Sequence, residues 1–312
     1  MPRIITIAVY KNVWFVILFL LWGANSLIAQ TDTTYIGKFD QEFAAKISMK
    51  QKLASLSHEN NSNLNLEYMA NNPFAIGAGL SWDGMGISVS QAINYTDRKK
   101  GKTKSFDFQY HYYGKKVTFD LFVQNYKGFF LENRKENYTL FPDMKFNRYG
   151  VFGQYVFNGN KFSYRAAFDQ SEIQLRSAGS LLLGGGAYYT KINYEDAISF
   201  NEMMYQIGPS IGYAYTYIIS KNYFVTGSLT PGLNLSFKNL SSKIDINPTL
   251  HFKLASGYNA DKWSFNFSFL INKVYVSYSD DSQISINSGS LQFTLIKRFD
   301  SKSKFLKNLP SF

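Results

Sequence analysis

Three histidines, His58, His111 and His251, are the side chains best suited to do chemistry in this chain, which has no cysteine. A metal site needs several histidine or carboxylate ligands converging on one point. No close-spaced pair among the three supplies that, so neither a metal nor another cofactor is expected. Hydrolysis by a serine nucleophile needs a histidine within hydrogen-bond reach and a third group to orient it. Ser264 and Ser268 are candidates to approach His251 across a hairpin, which makes an outer-membrane lipid hydrolase the alternative reading. Serine is common here and such a pairing is cheap to find, so the leading expectation is a non-enzymatic protein without catalytic residues. Gly184-Gly185-Gly186 is no phosphate cradle, since no Lys-Ser or Lys-Thr follows it and it does not lead into a helix.

A second group is charged and polar. Lys104, Asp107, Gln109, His111, Thr118, Asp120 and Gln124 are read as facing one interior from two adjacent segments, with Arg165 and Asp169 further on. Opposite charges at similar depth imply cross-strand ion pairs that brace or fill that interior. The functional version of the same pattern is a narrow polar pore or a small-solute site. The stretch Gln170, Ser171, Glu172 to Ser177, Ala178, Gly179, Ser180 interrupts the strand pattern and is expected to form an inward-folded plug or a turn.

Those side chains must be carried on strands. From Lys104 to Tyr113, Phe106, Phe108, Tyr110 and Tyr112 alternate with Asp107, Gln109 and His111. From Met203 to Ile219, Tyr205, Ile207, Ile211, Tyr213, Tyr215 and Tyr217 alternate with Gly208, Ser210, Gly212, Ala214 and Thr216. Successive strand residues point to opposite faces, so each segment has one apolar and one polar or small face. A soluble sandwich would bury the apolar faces against each other, and with them many tyrosine hydroxyls lacking partners. In a membrane barrel the apolar face meets lipid, and tyrosine and tryptophan sit at the interfaces. Trp82 and Trp263, beside turns, fit such a girdle.

The strands come in pairs. Phe74–Trp82 and Met85–Ile93 flank Asp83-Gly84, a tight hairpin signal. Lys104–Tyr113 and Val117–Tyr126 flank Gly114-Lys115. Arg148–Phe157 and Phe162–Asp169 flank Asn158-Gly159-Asn160. Met203–Ile219 and Tyr223–Phe237, then Leu250–Tyr258 and Trp263–Tyr275, complete the pairs. Longer polar connections, including Lys127 to Asn147, join one pair to the next. Lys46–Leu56, Asn63–Met69, Ser180–Ile192 and Gly289–Phe299 are further strands. The fold predicted is all-β, an antiparallel transmembrane β-barrel of about 12 strands, with 14 as the alternative.

The first 29 residues read as a secretory signal, with Arg3 and Lys11 ahead of an apolar stretch from Val13 to Trp22 and cleavage after Ala29. Residues 30–45 are expected as a short periplasmic segment, 46–299 as the barrel and 300–312 as a periplasmic tail. The net charge of +11 comes from 33 basic and 22 acidic residues, and the lysines and arginines gather in connections such as Asp97 to Lys102. In an exported chain such charge suits lipopolysaccharide and other outer-membrane lipids or envelope proteins, not nucleic acid. The bacterial outer membrane is the expected location.

Particular stretches also point to a family. Gly101 to Gln109, His111 to Lys116, Phe119-Asp120-Leu121 and Tyr126 to Phe130 together resemble the domain-of-unknown-function 4421 family, exported proteins of Bacteroidetes-type bacteria. Gln170 to Gln174, Ser177 to Ser180 and Leu229 to Leu233 look like it too. The resemblance runs from about Asp32 to the last strand. It implies an outer-membrane barrel and brings no catalytic residue or ligand.

Overall fold

The structure, a computed structural model, describes residues 31–60, 65–71, 73–94, 97–133, 137–194, 200–238, 244–279 and 282–309. The signal segment expected at 1–29 lies outside the described residues. In chain order the strands are β1 (Ile36–Lys38), β2 (Phe43–Asn60), β3 (Asn65–Met69), β4 (Phe74–Trp82), β5 (Met85–Asn94), β6 (Lys104–Tyr113) and β7 (Val117–Glu132). They continue as β8 (Tyr138–Val156), β9 (Glu172–Gln174), β10 (Ala178–Tyr194), β11 (Phe200–Ile218) and β12 (Tyr223–Phe237). The last three are β13 (Asp245–Asn259), β14 (Trp263–Ser279) and β15 (Ser282–Phe299).

Among the described residues thirteen strands share one antiparallel sheet. Twelve of them, all except β3, close into a ring through β15 on β2, where Phe43 faces Phe299 and their rings stack at 5.7 Å. Closure removes every free edge, which a sheet in lipid requires. The first barrel strand thus begins at Phe43, three residues before the expected start at Lys46.

Burial runs opposite to that of a soluble protein. On β11, Ile207 is 53% and Tyr217 57% exposed, while Gln206 is 2% and Thr216 0% exposed. Outward rings meet from strand to strand: Tyr149 and Tyr189 tilted at 6.0 Å, Tyr189 and Tyr205 tilted at 5.0 Å, Tyr205 stacked on Phe237 at 5.8 Å. From Tyr205 to Tyr217 a strand tilted by about 45° climbs roughly 28 Å at about 3.3 Å per residue, close to the apolar band of an outer-membrane barrel. The protein is a transmembrane β-barrel.

The barrel has a turn end, where β4 and β5 are joined through Asp83 and Gly84 and where Phe43 and Phe299 lie, and an opposite loop end. Asp83 and Gly84 both have positive φ, 39° and 77°, as the tight hairpin demands.

Its wall is not uniform. Strands β4, β5 and β6 have only 9, 10 and 10 residues, against 15 to 19 for the other ring strands. In the turn half β2 pairs with β4, and β6 with β7. In the loop half β2 pairs with β3, and β3 reaches β7 directly through Tyr68 opposite Leu131 and Met69 opposite Phe130. One strand there replaces three, so the ring narrows from twelve strands to ten. At the fork Asn71 donates from its side-chain amide to the carbonyls of Asp97 and Gly101 and accepts from the Asp97 N–H. The Thr103 hydroxyl takes the Asn71 N–H at 2.8 Å and donates to the Gly128 carbonyl at 2.7 Å. Gly128 bulges β7 with φ of 92°, and a β-carbon there would collide with the Lys102 carbonyl.

Two expectations are corrected. Lys127 to Asn147 is no long connection: β7 and β8 stay paired to Glu132 opposite Tyr138. Asp143 and Lys145 lie there on the outward face beyond the apolar band, so the apolar alternation that marks a strand is lost. Phe162–Asp169 is no barrel strand. Phe162, Tyr164, Ala166 and Phe168 mimic a two-residue period, but Ser163 caps a short helix, Tyr164–Phe168, by accepting the Ala166 N–H at 3.0 Å. Ahead of the barrel, β1 pairs with β9.

Candidate functional site

Between β8 and β10 the chain turns into the barrel. Asn158 starts the excursion by donating its N–H to Ser180 Oγ at 2.9 Å and its side-chain amide to the Gly179 carbonyl at 2.8 Å. The apolar side of the helix Tyr164–Phe168 then packs inward: Phe162, Tyr164 and Ala167 meet Tyr113, Val156, Ala178, Leu182 and Ala214 in one buried cluster. The return leg is β9. Its Gln174 side chain donates to the carbonyls of Tyr35, Lys161 and Arg176, and Glu172 accepts from the Ser163 hydroxyl at 2.6 Å. Arg165 reaches Glu172 and Asp83, each at 3.6 Å, and donates to the Tyr113 carbonyl.

The tip of this plug is pinned from several strands. Asp169 is buried and bonds Lys46 on β2, Ser81 on β4 at 2.9 Å and His111 on β6 at 2.8 Å. Burial alone would raise its carboxyl, but Lys46 and His111 outweigh that and hold it well below the usual carboxylate range. Gln170, with φ of 54°, turns the chain; its amide donates to Asn259 Oδ1 at 2.7 Å and its carbonyl accepts from Arg298 at 2.7 Å. Arg298 also donates to Ser264 Oγ at 2.8 Å and to the Ala260 carbonyl at 3.0 Å. Outside the latch, at the turn end, lies a mouth of about 560 Å³ reaching Arg165, Glu172, Arg298 and Leu309. Inside it lies a smaller cavity of about 110 Å³ lined by Lys46, Lys50, Gln109, His111, Asn266 and Gln292. Ser81 borders both.

Above the plug come two further layers. In the polar one Asp120 accepts from Gln109 at 3.0 Å and Tyr113 at 2.8 Å, with Lys253 at 3.4 Å. Asp107 holds the ammonium of Lys52, itself 1% exposed. Arg148, 1% exposed, lies between the rings of Phe122 and Tyr188, 5.7 and 4.8 Å from its guanidinium carbon. In the loop half the interior turns apolar: Leu56, Tyr126, Phe146, Ile192, Met204, Val274 and their neighbours form a second buried cluster.

Asp107, Gln109, His111, Thr118, Asp120 and Gln124 all sit on inward positions, with Gln124 opposite both Asp107 and Arg148. Lys104 does not. It shares the parity of Phe106 and Phe108, is exposed, and faces outward opposite Lys127. Arg165 and Asp169 belong to the plug, not to a wall strand, alongside Gln170, Ser171 and Glu172. Ser177 instead accepts the Ile218 N–H at 2.9 Å beside β10, and Gly179 is part of β10, against Tyr213 and Tyr215. The serine–histidine pairing is not formed. His251 bonds Asn272 at 2.8 Å and Tyr188 at 3.3 Å, Ser264 bonds Asn259 and Arg298, and Ser268 lies opposite Ala255, four residues along β13 from His251. Among the described residues no three histidine or carboxylate side chains form a group that could hold a metal ion. Lys46, Lys50, Lys52, Arg148, Lys253 and Arg298 were not among the expected interior residues. The inward period-two spacing of Lys46, Lys50 and Lys52 on β2 was the signal available for three of them.

The model of one family, described as a domain of unknown function (DUF4421), matches residues 30–299. The chain belongs to that family. In this member of DUF4421 the matched region starts ahead of β1, ends on the closing residue Phe299, and includes the plug. No protein of curated function matches the chain. Among solved structures the chain is similar to the outer membrane protease OmpT from Escherichia coli, with 10% identity over 84% of this chain and 98% of that one and a TM-score of 0.40. The translocator domain of autotransporter NalP from Neisseria meningitidis is similar at 9% identity over 94% and 97%, TM-score 0.45. The β domain of the Bordetella autotransporter BrkA is similar at 10% identity over 83% and 100%, TM-score 0.36.

Proposed function

We infer that this DUF4421 protein is a non-enzymatic barrel of the bacterial outer membrane that stands closed, as a structural component of the envelope. The observation that carries this is the double filling of the lumen: a latched plug in the turn half and an apolar side-chain cluster in the loop half. A porin keeps a water-filled interior, whereas here, among the described residues, the plug and the apolar cluster occupy its two halves. The turn end is the periplasmic one in this reading, since both ends of the barrel wall and the tight turns lie there.

Planar bilayers containing the refolded full chain test it. The expected record is silent at moderate voltage; a steady conductance of the wild-type protein would replace this reading with that of a narrow channel. The polar cavity behind Asp169 favours one variant of the idea, in which small polar solutes pass only when the plug withdraws and the loop-half cluster parts with it. In that case Asp169→Asn should produce conductance bursts that the wild type lacks.

A further inference from the structure

Outside the barrel, where β6 ends at Lys104 and β7 and β8 run on beyond it, four lysines line one groove. It encloses about 420 Å³, with Lys102, Lys104, Lys127 and Lys145 around it and Ile93 and Phe106 as its apolar floor. The register explains the clustering: Lys104 lies opposite Lys127, and Lys127 opposite Lys145. Like charges set directly across neighbouring strands repel and destabilise a sheet. Asp143 bonds Lys127 at 2.8 Å. Among the described residues Lys102, Lys104 and Lys145 have no ion-pair partner, so four ammonium groups face a single bonded carboxylate.

Depth matters as much as charge. Lys145 lies two outward positions loopward of Tyr149, whose ring belongs to the aromatic girdle, with Asn147 between them. Lys104 stands one outward position loopward of Phe106. The groove therefore straddles the level where acyl chains give way to headgroups. Ile93 and Phe106 suit the top of an acyl chain, and the ammonium groups, with the Asn125 and Asn147 side chains, suit phosphate oxygens.

We propose that this groove binds the phosphorylated headgroup of an outer-leaflet glycolipid. The proposal rests on the outer-membrane reading above. Within that reading it assigns the strained lysine cluster a ligand that neutralises it, since each lysine near an anionic lipid surface gains attraction that falls off within a Debye length.

The test uses the full chain refolded in neutral detergent and a bisphosphorylated glycolipid in mixed micelles, beside the same lipid stripped of phosphate and beside inorganic phosphate. Native mass spectrometry counts bound lipid, and heat-modifiable gel migration reports the folded barrel. The wild type should retain the phosphorylated lipid, and Lys104→Gln with Lys145→Gln should weaken retention roughly thirtyfold. Lys104→Arg with Lys145→Arg should keep it. Equal retention of phosphorylated and stripped lipid, equal retention by the neutralised variant, or competition by millimolar inorganic phosphate would each overturn the proposal. A wild type that never inserts into lipid would sink the membrane location instead, which the gel separates from loss of headgroup binding.

Discussion

The ammonium of Lys46 and the carboxylate of Asp169 meet inside the barrel across 123 residues of chain, one on the wall and one on the plug. A buried pair of this kind costs little when both partners leave together and a great deal when one is left behind. Lys46→Met or Asp169→Leu alone should each lower the unfolding free energy by about 3–5 kcal/mol, and the double variant by much less than their sum. Urea unfolding in detergent, followed by tyrosine and tryptophan fluorescence, measures the cycle. Additive losses would mean that the two groups do not hold each other.

Acid should act on the same contact. The Asp169 carboxyl is held below its ordinary value of 3.8, so its contribution is fully present above that value and is lost only as pH falls further, through the lower folded-state value. Between pH 7 and pH 5 this group should leave stability unchanged. Asp169→Asn should flatten the acid limb of the stability curve below about pH 4. An unaltered acid limb in that variant would show that other carboxylates set it.

Asn71 braces the place where the wall divides. Replacing it with alanine removes its side-chain bonds to Asp97 and Gly101 and should cost roughly 2–3 kcal/mol at about 1 kcal/mol per net hydrogen bond. Hydrogen exchange should quicken at residues 97–103 and at Gly128 while β11 to β14 stay protected. Uniform acceleration over the whole barrel would argue against a local brace.

Ile211 lies midway between Tyr205 and Tyr217 on the outward face and is 53% exposed. Ile211→Arg should cost about 2–4 kcal/mol of folding into vesicles, as arginine does on the lipid face at the bilayer centre. The same change at an aqueous surface would be nearly neutral. A variant that folds into vesicles as well as the wild type would place this face outside the apolar band.

The alternation of tyrosine and phenylalanine made the barrel legible, because in lipid the apolar face has no other place to go. It also made Asp107, Gln109, His111 and Asp120 legible as interior residues. Lys104 shares the even parity of Phe106 and Phe108, so its place in the alternation is outward even though its charge suits an interior. The helix Tyr164–Phe168 was hidden because aromatic residues two apart fit a strand equally well, and only the capping serine told otherwise. Arg148 and Lys253 face inward from strands whose outward partners, Tyr149 and Leu254, draw the eye first. The fork was out of reach of any local pattern, since it depends on β3 finding β7 across more than sixty residues.

The narrowing of the wall has a consequence for how such a protein can change size. In the loop half β3 alone joins β2 to β7, whereas in the turn half the β5–β6 hairpin is added between β4 and β7. A smaller cylinder is thus already traced in the circumference, complete without that hairpin. Gain or loss of one hairpin at this seam alters the girth of the barrel while the remaining pairings keep their partners, so the seam is where lineage-to-lineage variation in strand number should concentrate.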